Sequence, residues 1–163
     1  SYCLESDKPY LGLCLGMQVA AIAAARKTLG DNSVTSQELD AKAKHQIIHI
    51  IEDKKYVENI GGTLRLGSCP AKLKPGSRAS KLYGKDKIDE RHRHRFEFNN
   101  VYEKKKKKGG LIVSGRSPDG KLVEILESPD RKFFIGVQYH PELKSRPEDP
   151  HPLFVEFLRS ASA

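Results

Sequence analysis

The stretch Gly12-Leu13-Cys14-Leu15-Gly16-Met17-Gln18 constrains this chain more than any other. On its N-terminal side, Pro9-Tyr10-Leu11-Gly12-Leu13 is a short apolar run, which reads as a buried strand. On its C-terminal side, Met17 to Arg26 is rich in alanine and holds no glycine or proline, which predicts a helix ending near Gly30. The chain must therefore pass from strand to helix through a few small residues, with a cysteine at the bend. In that position the backbone turns sharply and the thiol projects from the turn. The helix N-terminus behind it favours negative charge, which predicts a lowered thiol pKa, and the Leu15 N–H is placed to serve as an oxyanion donor. An isolated cysteine is more often a small buried hydrophobe. The flanking glycines turn the reading towards a nucleophile.

Other segments fill out a mixed α/β pattern. Strands are expected at Gln46 to Ile51, Gly61 to Gly67, Ala71 to Leu73, Leu111 to Gly115, Leu122 to Leu126 and Phe133 to Tyr139. The turn Ser117-Pro118-Asp119-Gly120 makes a hairpin of the fourth and fifth of these. Arg95 to Phe98 alternates and reads as extended, and Ser80 to Gly84 as a helical turn. Asp31 to Ala43 reads as polar loop with a little helix. Leu153 to Leu158 is a C-terminal helix with Pro152 near its start. The expected fold is an open mixed sheet flanked by helices. The chain starts only eight residues before its first strand, so the sheet is expected to lack strands that precede Ser1.

A nucleophilic cysteine needs a base, and the base needs a partner that orients it. His140-Pro141-Glu142 follows directly on the strand Phe133 to Tyr139. If that strand runs parallel to the first, His140 and Cys14 share the C-terminal edge of one sheet, where α/β active sites lie. Glu142, two residues on, can accept from the imidazole. On its own, a His-Pro pair is more often a surface turn.

The net charge of +8 raises the possibility of a nucleic-acid partner. It equals the charge of two short clusters, Lys104 to Lys108 and the arginines of Arg91-His92-Arg93-His94-Arg95. A binding face would spread its charge and interleave aromatics, whereas the lysine run has only Tyr102 nearby. No apolar stretch approaches the ~20 residues of a membrane span, and no secretory signal is visible at Ser1 to Asp7. Three cysteines argue against a disulfide scaffold and fit a reducing, cytoplasmic compartment. Cys3 and Cys69 lack any His or carboxylate framing. His92 and His94 lie between arginines, which argues against a metal site.

The Cys14 and His140-Pro141-Glu142 motifs together resemble those of class I, triad-type glutamine amidotransferases. Gly61 to Gly67 and Glu90-Arg91-His92-Arg93-His94-Arg95-Phe96-Glu97 narrow the resemblance to glutaminase domains of the CTP synthase family, over about Lys8 to Ser160. The resemblance implies Cys14 as nucleophile, His140 as base and Glu142 as orienter. It implies Leu15, Gly16, Met17, Gln18, Glu38 and Arg95 as glutamine-binding residues. Glutamine is a zwitterion, so one carboxylate and one cation suit its α-amino and α-carboxyl groups. It further implies that residues 1–163 are one glutaminase domain, incomplete at its N-terminus and lacking a Gly-rich loop that supplies a second oxyanion donor. The loop after Glu38, within Ala41 to Ile60, looks short for the family. A separate synthetase domain would use ATP, Mg and UTP, with GTP as activator, in a homo-oligomer, a tetramer in the family. No cofactor is expected in these residues, and no Gly-x-x-x-x-Gly-Lys-Ser/Thr motif occurs in them. Another class I amidotransferase, a basic nucleic-acid-binding module and a degenerate structural domain are the competing readings.

Overall fold

A computed structural model describes residues 1–51, 64–103 and 110–162. In chain order the elements are α1 (Tyr2–Ser6), β1 (Tyr10–Leu13), α2 (Leu15–Leu29), β2 (Thr35–Ser36), β3 (Gln46–Ile50), β4 (Arg65–Leu73), α3 (Arg78–Tyr83), β5 (Lys87–His94), β6 (Phe96–Phe98), β7 (Ile112–Arg116), β8 (Val123–Glu127), β9 (Phe134–Val137), a 3-10 turn (Pro141–Leu143) and α4 (Pro152–Ser162). They form a mixed six-stranded sheet in the order β1-β9-β8-β7-β4-β5 and a small sheet in the order β2-β3-β6. β1 and β9 are parallel, while the remaining neighbours in the large sheet are antiparallel.

The strand β9 is apolar throughout because both its faces are covered. Phe134 joins a core with Met17, Ala20, Ala21 and Ala24 of α2 and Ile47, Ile48 and Phe98 of the small sheet. Ile135 and Val137 point the other way, into a core with Ala79 of α3 and Leu153 of α4. The parallel neighbour β1 repeats this alternation. The Tyr10 ring stacks on Phe134 with centroids 4.5 Å apart, while Leu11 and Leu13 pack into the second core.

The alanines of α2 let the helix lie close on the sheet, and glycines in the strands complete the fit. A Cβ on Gly136 would stand 3.0 Å from the Met17 Cα. The helix ends where its sequence predicts, with Gly30 in the left-handed conformation at φ 64° and its N–H donating to the Arg26 carbonyl.

Most expected elements are present, including the hairpin of β7 and β8 and the Ser80 to Gly84 turn, which is part of α3 capped by Ser77. Four differences stand out. Ala71 to Leu73 is the end of one nine-residue strand, β4, with Pro70 inside it. Among the described residues β7 pairs with β4 at Lys72 and Leu73 alone, so Pro70 meets no second described strand that needs its missing N–H. The polar segment after Asp31 contributes the two-residue strand β2. Tyr2–Ser6 is a short helix that its sequence did not announce. The arginine–histidine run belongs to β5, an edge strand whose Ile88, Glu90, His92 and His94 are buried while Arg91 and Arg93 are exposed. Gly61, Gly62, Thr63 and the lysines 104–108 lie outside the described residues, as does much of Ala41 to Ile60.

The two glycines framing Cys14 are not equivalent. A Cβ on Gly12 would meet the Gly16 carbonyl carbon at 2.7 Å and the Tyr10 ring at 2.6 Å, whereas one on Gly16 finds its nearest neighbour at 3.6 Å. Gly12→Ala is expected to lower the unfolding free energy by about 1–3 kcal/mol. Gly16→Ala is expected to leave it unchanged or to raise it by up to about 1 kcal/mol through helix propensity. Urea denaturation of the two variants checks the contrast.

Candidate active site

Cys14 caps the N-terminus of α2 at φ 48° and ψ −102°, one of two non-glycine residues with positive φ among the described residues. Such a conformation costs on the order of 1–3 kcal/mol and persists only where its surroundings enforce it. Here the Cys14 N–H donates to the Val137 carbonyl at 2.8 Å, and the Tyr10 hydroxyl donates to the Gly16 carbonyl at 2.7 Å. The two bonds tie both ends of the bend to β9 and β1.

The parallel register aligns Leu13 with Val137, so Gln138 stands level with Cys14 and His140 follows at the same sheet edge. The His140 N–H donates to the Arg91 carbonyl at 2.8 Å, which fixes this segment against β5. His140 Nδ1 lies 2.6 Å from Glu142 Oε1. A carboxylate can only accept, so Nδ1 carries a proton, and the neutral ring is held in the tautomer whose lone pair is on Nε2. Nε2 is buried and makes no hydrogen bond among the described residues. The Pro141–Leu143 turn brings Glu142 to the Nδ1 edge of the imidazole.

The Cys14 thiol donates towards the Arg93 carbonyl at 3.9 Å and accepts from Gln138 Nε2 at 3.8 Å. Burial pushes its pKa up. The Leu15 N–H and the Gln138 amide pull it down, and the charges of Glu142 and Glu38 add to the upward push. The expected lowering by the helix N-terminus is therefore overturned. One backbone N–H and one amide do not offset the loss of water around the sulfur.

The glutamine-binding candidates fall into three groups. Leu15 is largely exposed at the mouth of the bend, with Gly16 behind it. The Met17 and Gln18 side chains are buried: Met17 packs into the core, and Gln18 Nε2 donates to the Phe96 carbonyl at 3.1 Å and to Gln138 Oε1 at 3.3 Å. Met17 can therefore offer a ligand only its backbone. Glu38 and Arg95 are exposed. The Glu38 charge is felt at Cys14, and Arg95 leaves the chain between Arg93 and Phe96, both of which border the site.

Sequence reasoning missed Gln138 and the backbone carbonyls of Arg91 and Arg93. Only the strand register could have revealed the first, and only the assignment of β5 the others. Behind the site, β5 turns its histidines inward. His92 Nδ1 and His94 Nε2 are 3.0 Å apart, His94 Nδ1 lies 3.0 Å from the Phe96 carbonyl, and a buried Arg65–Glu124 ion pair at 2.8 Å stands beyond His92. Burial, followed by the charge of Arg65, holds both histidines neutral and moves His94 down to about 3. Among the described residues no group of three His, Cys, Asp or Glu side chains could hold a metal ion, and no helix is long and apolar enough to cross a membrane.

The family model for class-I glutamine amidotransferases matches residues 1–160. The chain belongs to that family. It is 52% identical over 162 residues to the CTP synthase of Roseiflexus castenholzii, covering 99% of this chain and 29% of that protein. It is also 52% identical over 162 residues to the CTP synthase of Lactobacillus acidophilus, covering 99% and 30%. The chain thus spans about three-tenths of the length of these relatives. Among solved structures, the Trypanosoma brucei CTPS glutaminase domain with bound acivicin matches with a TM-score of 0.89 at 34% identity, over 98% of this chain and 62% of that one. A solved structure from Thermoplasma acidophilum, with a TM-score of 0.57 and 16% identity over 99% of this chain and 61% of that one, shares the fold.

The neutral histidines give the amidotransferase fold a defined pH dependence. Between the ordinary value of 6.5 and about 3, the unfolded chain binds a proton that folded His94 refuses. The unfolded state then holds more protons, so stability falls as pH drops below about 6.5, by up to about 1.4 kcal/mol per pH unit for each such histidine. Urea unfolding between pH 7 and 5 should show this slope, and His94→Asn should flatten it. An unchanged slope in the variant would contradict the assignment.

Proposed function

We propose that residues 1–163 are the glutaminase domain of a CTP synthase, hydrolysing glutamine and supplying ammonia for amination of UTP to CTP. The observation that carries this reading is Cys14 on its strained bend, with the His140–Glu142 pair at the end of the parallel strand β9. The half-identity to CTP synthases over nearly the whole chain supports the choice of acceptor over other amidotransferases.

In this reading Cys14, His140 and Glu142 are the catalytic residues. His140 Nε2 takes the thiol proton, and the sulfur attacks the carboxamide carbon of glutamine, forming a C–S bond. The Leu15 N–H stabilises the oxyanion. His140 returns the proton to the amide nitrogen, the C–N bond breaks and ammonia leaves. A water molecule, deprotonated by His140, then attacks the thioester and releases glutamate with the thiol restored. Glu142 holds the imidazole in the tautomer that presents Nε2. Glu38 receives the α-amino group of glutamine and Arg95 its α-carboxylate, while Leu15, Gly16, Met17 and Gln18 border the side-chain amide, Met17 through its backbone.

In the complete enzyme the ammonia replaces the C4 oxygen of UTP after ATP phosphorylates it. ATP, Mg, UTP and the activator GTP are assigned to the synthetase domain and the assembled homo-oligomer, a tetramer, and to no residue named here. Three free cysteines suit a cytoplasmic setting. Cys14→Ala in the full-length enzyme should abolish glutamine hydrolysis while leaving the thermal midpoint within a few degrees. It should also spare CTP formation from added ammonia. Retained hydrolysis in that variant would overturn the proposal.

A further inference from the structure

Gln138 is fully buried, yet no step of glutamine hydrolysis described above calls on it. Its amide is one link in a directed chain of polar groups. The Phe96 carbonyl can only accept, so the Gln18 group facing it at 3.1 Å is the NH2. The same Gln18 nitrogen lies 3.3 Å from the Gln138 amide, which must therefore present its oxygen to Gln18. That turns the Gln138 NH2 to Cys14 Sγ, 3.8 Å away. Phe96 is held in turn. Its carbonyl also accepts from His94 Nδ1 at 3.0 Å, which leaves His94 Nε2 to accept from His92 Nδ1 at 3.0 Å. Each amide and each imidazole in this chain thus has one orientation available to it.

We propose that Gln138 is a positioning residue for the nucleophile: its N–H, aimed by Gln18 and the Phe96 carbonyl, holds Cys14 Sγ in place and stabilises the sulfur once its proton has left. The proposal rests on Cys14 being the nucleophile. A thiolate at the half-buried Cys14 is disfavoured where it lacks donors. Among the described residues the Leu15 N–H is the other donor acting on the sulfur, and during attack it is drawn to the oxyanion. The Arg93 carbonyl, 3.9 Å from the sulfur, suits the thiol and repels the thiolate. Gln138 is the neighbour that serves the sulfur in both states.

The test is Gln138→Met in the full chain, which keeps the side chain's bulk and removes its donor and acceptor. Alkylation of Cys14 by iodoacetamide is followed from pH 6 to 10, with peptide mass mapping to separate it from Cys3 and Cys69. The expected result is a midpoint raised by about one pH unit, equivalent to roughly tenfold less thiolate at neutral pH. For glutamine hydrolysis, kcat should fall by a similar factor at neutral pH and recover at high pH, with KM within about twofold. If Gln138→Met melts well below the parent chain, Gln18→Met removes the aim and leaves Gln138 in place. It should raise the alkylation midpoint by a smaller amount. An unmoved midpoint in a folded variant overturns the proposal, as does a loss of kcat in Gln138→Met that is equal at every pH. The alkylation midpoint is read without glutamine. Failure of this inference is therefore distinct from failure of the glutaminase reading, which retained hydrolysis in Cys14→Ala would reveal.

Discussion

The parallel pairing of β1 with β9 is the constraint on which the rest of this molecule depends. Each strand contributes only four residues. Their register puts Cys14, Gln138 and His140 at one sheet edge although more than 120 residues separate the first from the others. The pairing is held by apolar burial on both faces, with α2 on one side and α3 and α4 on the other. The Cys14 N–H to Val137 bond continues it into the bend, so the strain at Cys14 is sustained by the core beneath it.

The second organising feature is the way β5 divides its charged sequence. Alternation sends Arg91 and Arg93 outward and His92 and His94 inward, so a run that reads as uniformly basic contributes cations to the surface and neutral imidazoles to the interior. The same strand offers the Arg91 and Arg93 carbonyls to His140 and Cys14. The arginine side chains and their backbone therefore serve different parts of the structure. The buried histidines connect to the site through Phe96 and Gln18, which links the packing of the sheet interior to the orientation of one amide at the sulfur.

Elements whose burial rests on apolar side chains were legible in the sequence. β1, α2, β3, β9 and the β7–β8 hairpin follow from apolar runs, alanine content and the glycines that end them. β5 was not legible, because three of the four side chains it buries are Glu90, His92 and His94, and polar residues inside a sheet leave no hydrophobic pattern. In the site, the small residues around the Cys14 bend and the His140-Pro141-Glu142 segment marked the three triad candidates, and the resemblance to the amidotransferase family gave them their roles. The geometry added the strained bend and the tautomer of His140. Gln138 escaped notice because its importance comes from lying opposite Cys14, which no local pattern encodes. The direction of the thiol pKa was misjudged for a related reason: the helix N-terminus is visible in sequence, and the loss of water around a folded sulfur is not.

The central claim is that the bend between β1 and α2 makes Cys14 the group that bonds covalently to glutamine. Rapid acid quenching of the full chain during turnover, followed by peptide mass mapping, tests it most directly. The expected product is a glutamyl thioester on the peptide carrying Cys14, with Cys3 and Cys69 unmodified. Steady turnover with Cys14 unmodified and the adduct on another residue would contradict it.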